Sequence, residues 1–584
     1  MLPTGSIKNE EELHMAVKKG CLISIVVVVG LIIAFFAVIG IAIKSIGKES
    51  ISMTSNTYLV MDINAPLLYE KHESFFGSES ATFTDILKAI DDAADDSDVK
   101  GIIIKNCRAS LAQQEEILEK IKAFKKSGKK IIAYAPSFST GTYLIASTAD
   151  DIILPPTMSA DFSLAGYYLP QSFYKRMFDK IGIEFTVVHM GNYKGAGENF
   201  SRENMSPYLR ENLTSLFDDL FGWRLETIAN NRSFDPETFK ADVYNGNYFM
   251  REPKQALDLK LVTSLLYEPQ FREKYLITEK NLVSLSSYAS SRSNAVYGDK
   301  IAVIIAEGEI VVGRSTTSFS PLSVGMSKML GSETFCENVE SAVKDTSVKG
   351  IVVRVDSPGG SALASDMMWY TLKKAAEKKP VYISMGQVAA SGGYYISTPG
   401  KVIFADNSTI TGSIGVVSMM VNTSELMEDK LYIDTDTLQH GKYADFGSAN
   451  KKMTNEEIEM LRSMSLSIYT EFKSRVAEGR KMSMDDVEKI AQGKVYTGRQ
   501  ALKIGLVDKI GTLDATVTAL KNELKLKNVS VVYYPKKKTF METMKENGLF
   551  GMSLYKLINK PESVIAIDPK PRTYYPYSQA VLAE

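Results

Sequence analysis

One hydroxyl set among residues too small to cover it is the arrangement in this chain best suited to chemistry. It is Ser391, in Gly386-Gln-Val-Ala-Ala-Ser-Gly-Gly393. The preceding Pro380-Val-Tyr-Ile-Ser-Met385 reads as a buried strand, and the following Tyr394-Tyr-Ile-Ser-Thr398 as the opening of a helix. A serine at that junction has helix N-terminal amides beside it, which favour a developing anion. Ser391 is therefore the candidate nucleophile. The same small residues would also let a helix pack closely on a sheet, and this stretch alone does not separate the two readings. A second stretch shifts the balance. Lys349-Gly-Ile-Val-Val-Arg-Val355 has the length and apolarity of a strand and ends in Asp356-Ser-Pro-Gly-Gly-Ser361. Pro358 fixes one backbone angle, and the paired glycines can turn amides outward where a side chain would block approach. Gly359 and Gly392 thus form a candidate oxyanion hole, in which one preorganised donor typically lowers a barrier by about 3 kcal/mol.

Ser357-Pro-Gly-Gly360 followed by Gly386-Gln-Val-Ala-Ala-Ser391 resembles the Clp protease and crotonase superfamily, and Thr411-Gly-Ser-Ile-Gly415 narrows the resemblance to the signal peptide peptidase A family in its long form. It runs from about Tyr58 to Pro535. The family motif is also matched at Gly191-Asn-Tyr-Lys194 followed by Met205-Ser-Pro207. The resemblance implies that Lys194 is the general base and that Ser413 hydrogen-bonds and orients it. It further implies a serine endopeptidase acting without ATP or cofactor on remnant signal peptides and similar extended apolar peptides. A homo-oligomer, with a tetramer favoured, and catalytic repeats outside the cytoplasmic (inner) membrane, on its periplasmic side, are implied as well.

The assignment needs a neutral lysine, so a pKa near 10.4 must fall to roughly 7 or 8. Desolvation supplies such a shift if no carboxylate sits against the amine. Glu198 and Glu203 are close in sequence, so a surface salt bridge is the plainer reading of Lys194 taken without the family pattern. A Ser-His-Asp triad is the commoner way to activate serine. Of the four histidines, only His189, five residues before Lys194, competes. No His-x-x-x-His pair or cysteine cluster points to a metal.

These groups need a scaffold. At 584 residues the chain exceeds what one core usually supports. Its 68 basic and 69 acidic residues leave a net charge of -1, which gives no reason to expect a nucleic-acid partner. Residues Cys21 to Ile43 are an uncharged run of 23, long enough at 1.5 Å per residue to cross a roughly 30 Å hydrocarbon core, and read as a transmembrane anchor after a short N-terminal segment, residues 1–20.

Beyond the anchor the chain repeats itself. Asp98-Val-Lys-Gly-Ile-Ile-Ile-Lys105 matches Ser347-Val-Lys-Gly-Ile-Val-Val-Arg354 at a shift of 249 residues. The fold class expected is α/β: a tandem duplication of a Clp/crotonase-like domain with a largely parallel sheet in each copy, preceded by the one transmembrane helix. The first repeat spans 55–285, a polar linker 286–299, the second repeat 300–535 and a C-terminal tail 536–584. The copies differ informatively. Ser391 falls on Gly141, the glycine turn on Cys107-Arg-Ala-Ser-Leu111, and Lys194 on Ala444. Ser413 is retained as Ser163, so a structural role for that hydroxyl stays open. A crotonase-like acyl-CoA enzyme and a catalytically silent membrane scaffold are the alternatives. The first lacks an identifiable carboxylate pair, and the complementary retention of Ser391 and Lys194 opposes the second.

Overall fold

Apolar runs rich in Ile and Val, such as Ile102–Ile104, Ile351–Val353 and Val381–Ile383, form central strands that are buried on both faces rather than alternately. The computed structural model describes residues 53, 55–69, 81–292, 298–320, 325–535 and 572–573. The expected anchor, residues 21–43, and all of the tail except 572–573 lie outside the described residues. Among the described residues no helix is long and apolar enough to cross a membrane.

The first half supplies β1 (Thr57–Ile63), β2 (Val99–Cys107), helix α1 (Leu111–Lys125), β3 (Lys130–Tyr134), β4 (Asp151–Leu154), β5 (Glu184–Met190), helix α2 (Pro207–Arg232), β6 (Ser264–Leu265) and β7 (Leu282–Ser284). The second supplies β8 (Asp299–Glu307), β9 (Val348–Ser357), helix α3 (Ala362–Ala376), β10 (Val381–Ala390), helix α4 (Gly392–Ser397), β11 (Val402–Ala405), β12 (Ile410–Gly412), β13 (Val416–Asn422), β14 (Val495–Thr497), β15 (Lys509–Ile510) and β16 (Val529–Tyr534). One sheet runs β6-β4-β3-β2-β1-β7, and every pair is parallel. The other runs β15-β11-β10-β9-β8-β16 in parallel, which is the same order strand for strand. The duplication read in the sequence is thus a duplicated topology. At its far end β10 also pairs with β12, whose outer neighbour β14 is antiparallel.

The two halves are interlocked. Strand β5 of the first pairs antiparallel with β13 of the second along its whole length, Val416 opposite Met190 through Asn422 opposite Glu184. Helix α1 turns polar side chains into the second half: the carboxylate of Glu115 accepts from Asn407 N at 2.8 Å and from Ser408 N and Oγ at 3.1 and 3.0 Å. Glu116 meets the fully buried Arg354, whose guanidinium also donates to Tyr69 Oη at 2.6 Å and Ser384 Oγ at 2.8 Å. A buried ion pair of this kind gains little net stability over apolar residues, but removing one partner leaves a buried charge.

One boundary differs from the sequence reading. The polar stretch taken as a linker from residue 286 begins as a packed helix, Leu285–Ser291. Tyr288 is buried there and donates to Asp96 Oδ2 at 2.9 Å. Serines are tolerated on the outer face of such a turn, so composition alone concealed it.

Candidate active site

Strand β10 delivers Ser391 to the start of α4 with φ 55° and ψ -118°. A side chain with positive φ is strained, and at a sharp strand-to-helix turn that geometry lifts a hydroxyl clear of both elements. The turn is held from β12: Ser391 N donates to Gly412 O at 2.8 Å, and Thr411 Oγ1 donates to Ala389 O at 2.7 Å. Gly359, with φ +101°, lies so close that a Cβ there would stand 2.7 Å from Gly392 N and 2.9 Å from Ser391 Cβ. Glycine is required here by conformation and by space. Sequence reasoning pointed the Gly359 amide outward; in the structure it donates to Ser357 Oγ at 3.2 Å. Gly392 opens its helix, so its amide has no carbonyl of that helix to bond.

Lys194 comes from the other half, on the loop after β5. Its neighbours Tyr193 and Asn192 donate through backbone N–H to Gln492 O at 2.8 Å and Gln492 Oε1 at 3.0 Å. The second half thereby closes over the lysine, which is 2% exposed. Its Nζ lies 2.9 Å from each of three oxygens: Ser391 Oγ, Ser413 Oγ and Ser413 O. Among the described residues no carboxylate joins them. Glu198 is turned away, accepting from Ser206 N at 2.9 Å and Ser206 Oγ at 2.6 Å, with Arg202 3.8 Å off. Burial, unopposed by any anion, lowers the Lys194 pKa from 10.5 to about 7.

A neutral amine has two N–H bonds and one lone pair. Those suit two acceptors on Ser413 and one hydroxyl donor, Ser391 Oγ–H, so the three contacts match an unprotonated lysine. Such a pair can move a proton from the serine to the amine.

The five residues singled out in the sequence, Ser391, Lys194, Ser413, Gly359 and Gly392, are therefore brought together inside one chain. His189 is not among them; its Nδ1 lies 3.2 Å from Gly191 O on an exposed part of β5. In the first copy Ser163 Oγ donates to Asp161 Oδ2 at 2.8 Å and accepts from Met250 N at 3.1 Å, a purely structural use of the retained hydroxyl. Ser357 and Gln492 escaped the sequence reading, Ser357 as part of a turn and Gln492 because only the fold carries it to the lysine loop. Among the described residues no group of histidine, cysteine, aspartate or glutamate is arranged to hold a metal.

Residues 123–282 and 373–527 match Peptidase family S49. The chain is 32% identical over 582 residues to Protease 4 of Salmonella typhi, covering 93% of this chain and 90% of that protein. It is 33% identical over 421 residues to the chloroplastic serine protease SPPA of Arabidopsis thaliana, covering 70% of this chain and 60% of that protein. Protease 4 of Haemophilus influenzae is 29% identical over 525 residues, covering 84% and 83%.

Proposed function

This chain belongs to peptidase family S49, and from that premise we propose that it is a membrane-anchored serine endopeptidase working through a Ser391 and Lys194 dyad. The observation that carries the reading is the buried, carboxylate-free lysine 2.9 Å from the serine hydroxyl. Lys194 takes the Ser391 proton as the oxygen attacks the scissile carbonyl. The oxyanion draws on the amides of Gly392 and Gly359, the latter released from Ser357 Oγ. The resulting ammonium gives its proton to the leaving amine, and a water activated by the same amine hydrolyses the acyl-enzyme. Ser413 holds the amine through both of its oxygens. No ATP or cofactor enters. Remnant signal peptides and other extended apolar peptides are the proposed substrates, held by backbone pairing at a sheet edge. The working form is a homo-oligomer, a tetramer in this reading, tethered by residues 21–43 on the outer face of the cytoplasmic membrane.

A fluorophosphonate probe followed by peptide mapping tests the reading. Labelling is expected on Ser391; labelling elsewhere, or none, rejects Ser391 as the nucleophile. The lysine adds a pH signature. It must be unprotonated to act, so kcat/KM for a fluorogenic apolar peptide is expected to climb about tenfold per pH unit below about 7 and to level off above it. A rate that falls as pH rises through 7 would contradict a lysine base.

The anchor is tested separately. Removing residues 1–50 is expected to leave a soluble protein with peptidase activity close to that of the whole chain, because every site residue lies beyond them. If the shortened protein stays in the pellet after alkaline carbonate washing, another segment binds the membrane.

A further inference from the structure

Strands β9 and β10 do not run in continuous register to the site. Val355 stands opposite Met385, yet Ser357 stands opposite Ala389. Gly386, Gln387 and Val388 therefore face the single residue Asp356, as a bulge in β10 just before the nucleophile. A bulge leaves backbone groups without ladder partners and re-aims the residues that follow. Here the carboxylate of Asp356 supplies the partners: Oδ1 accepts from Val388 N at 3.1 Å and Oδ2 from Gln387 N at 3.4 Å. Space for it depends on the glycine at the bulge, since a Cβ on Gly386 would lie 2.9 Å from Asp356 Oδ2 and 3.2 Å from Arg354 Nη2.

Taking Ser391 as the nucleophile proposed above, we infer that Asp356 is a positioning residue for the reaction, setting the separation between the oxyanion turn and Ser391 by clamping the β10 bulge. The two limbs of the site both leave from this point: Ser357 to Gly360 continues from Asp356 itself, and Ala389 to Ser391 continues from the amides it holds. Burial, with Glu307 adding to it and Arg354 opposing it, pushes the Asp356 carboxyl up to about 6. In an assay at pH 8 it is thus ionised, and both oxygens accept. An asparagine of the same shape accepts with one oxygen and presents an amide N–H to the other bulge N–H, so the bulge relaxes and Ser391 shifts, while Lys194 stays held by its two contacts to Ser413.

The experiment compares wild type and Asp356→Asn at pH 8, with rates expressed per titrated active site, so that loss of folded protein does not count. A displacement near 1 Å at a reacting atom costs on the order of a hundredfold. Fluorophosphonate labelling of Ser391 and kcat are therefore each expected to fall about a hundredfold, with KM within about threefold and the acid midpoint still near 7. A labelling rate per site within about threefold of wild type would overturn the inference, because a merely structural role lowers the yield and the melting temperature and leaves the surviving sites at full rate. If Asp356→Asn does not fold, Gly386→Ala serves in its place, since it crowds the carboxylate off the bulge with Asp356 intact; full-rate labelling in that variant overturns the inference equally. Failure of wild type to label at Ser391 would instead strike the proposed nucleophile, so the two failures are distinguishable.

Discussion

Replacing Ser391 by alanine is expected to reduce turnover of an apolar peptide by at least about a thousandfold while the protein keeps its fold. The residual rate would be whatever the oxyanion donors and binding achieve without a nucleophile. The fold should survive because the hydroxyl contributes one hydrogen bond, to Lys194, in a site otherwise built of glycine and alanine, and the turn is held by the Ser391 N–H bond to Gly412 O and the Thr411 hydroxyl bond to Ala389 O, both of which alanine retains. Alanine at φ 55° is as strained as serine there, so the substitution adds no new backbone cost. Purified Ser391→Ala that cleaves the peptide at near the wild-type rate would remove Ser391 from the mechanism.

Lys194→Met is expected to do two opposite things. Activity should fall by a thousandfold or more, because among the described residues no other base lies against Ser391 Oγ. Stability at neutral pH should rise. The sign follows from linkage. The lysine binds a proton up to about 10.5 when unfolded but only up to about 7 when folded. Between those values the unfolded chain holds more protons, so wild-type stability increases with pH, and at pH 7 the buried amine carries most of its penalty. A shift of that size corresponds to roughly 5 kcal/mol, partly offset by the bonds to Ser413 that methionine cannot make. The variant should therefore melt higher than wild type at pH 7, and the gap should shrink as pH approaches 10. A lower melting temperature at pH 7 would mean that the lysine is held in its charged form. Since the two side chains meet within one chain, mixing full-length Ser391→Ala with Lys194→Met should restore no activity after verified subunit exchange. Recovery would place the dyad across neighbouring chains.

The sequence by itself determined the α/β class, the doubled architecture and the position of Ser391. Runs such as Ile102–Ile104 and Ile351–Val353 are apolar on both faces, a pattern that suits a strand buried under helices on either side, and local composition is enough to show it. The Gly-Gln-Val-Ala-Ala-Ser-Gly-Gly stretch is equally local, since a strand, a strained turn and a helix start all lie within its few residues. Lys194 is different. Its neighbours in sequence, Glu198 and Glu203, favour an ordinary surface ion pair, and the family pattern rather than its setting singled it out. Tertiary structure decided its state, by turning Glu198 onto Ser206 and closing Gln492 of the second half over the lysine loop. The same holds for helix α1, where Glu115 and Glu116 dock one half on the other. It holds again for the bulge filled by Asp356, since register belongs to the pairing of two strands and neither strand encodes it alone. Desolvation, ion pairing and register all depend on groups far apart in the chain, and for that reason only the folded arrangement decides them.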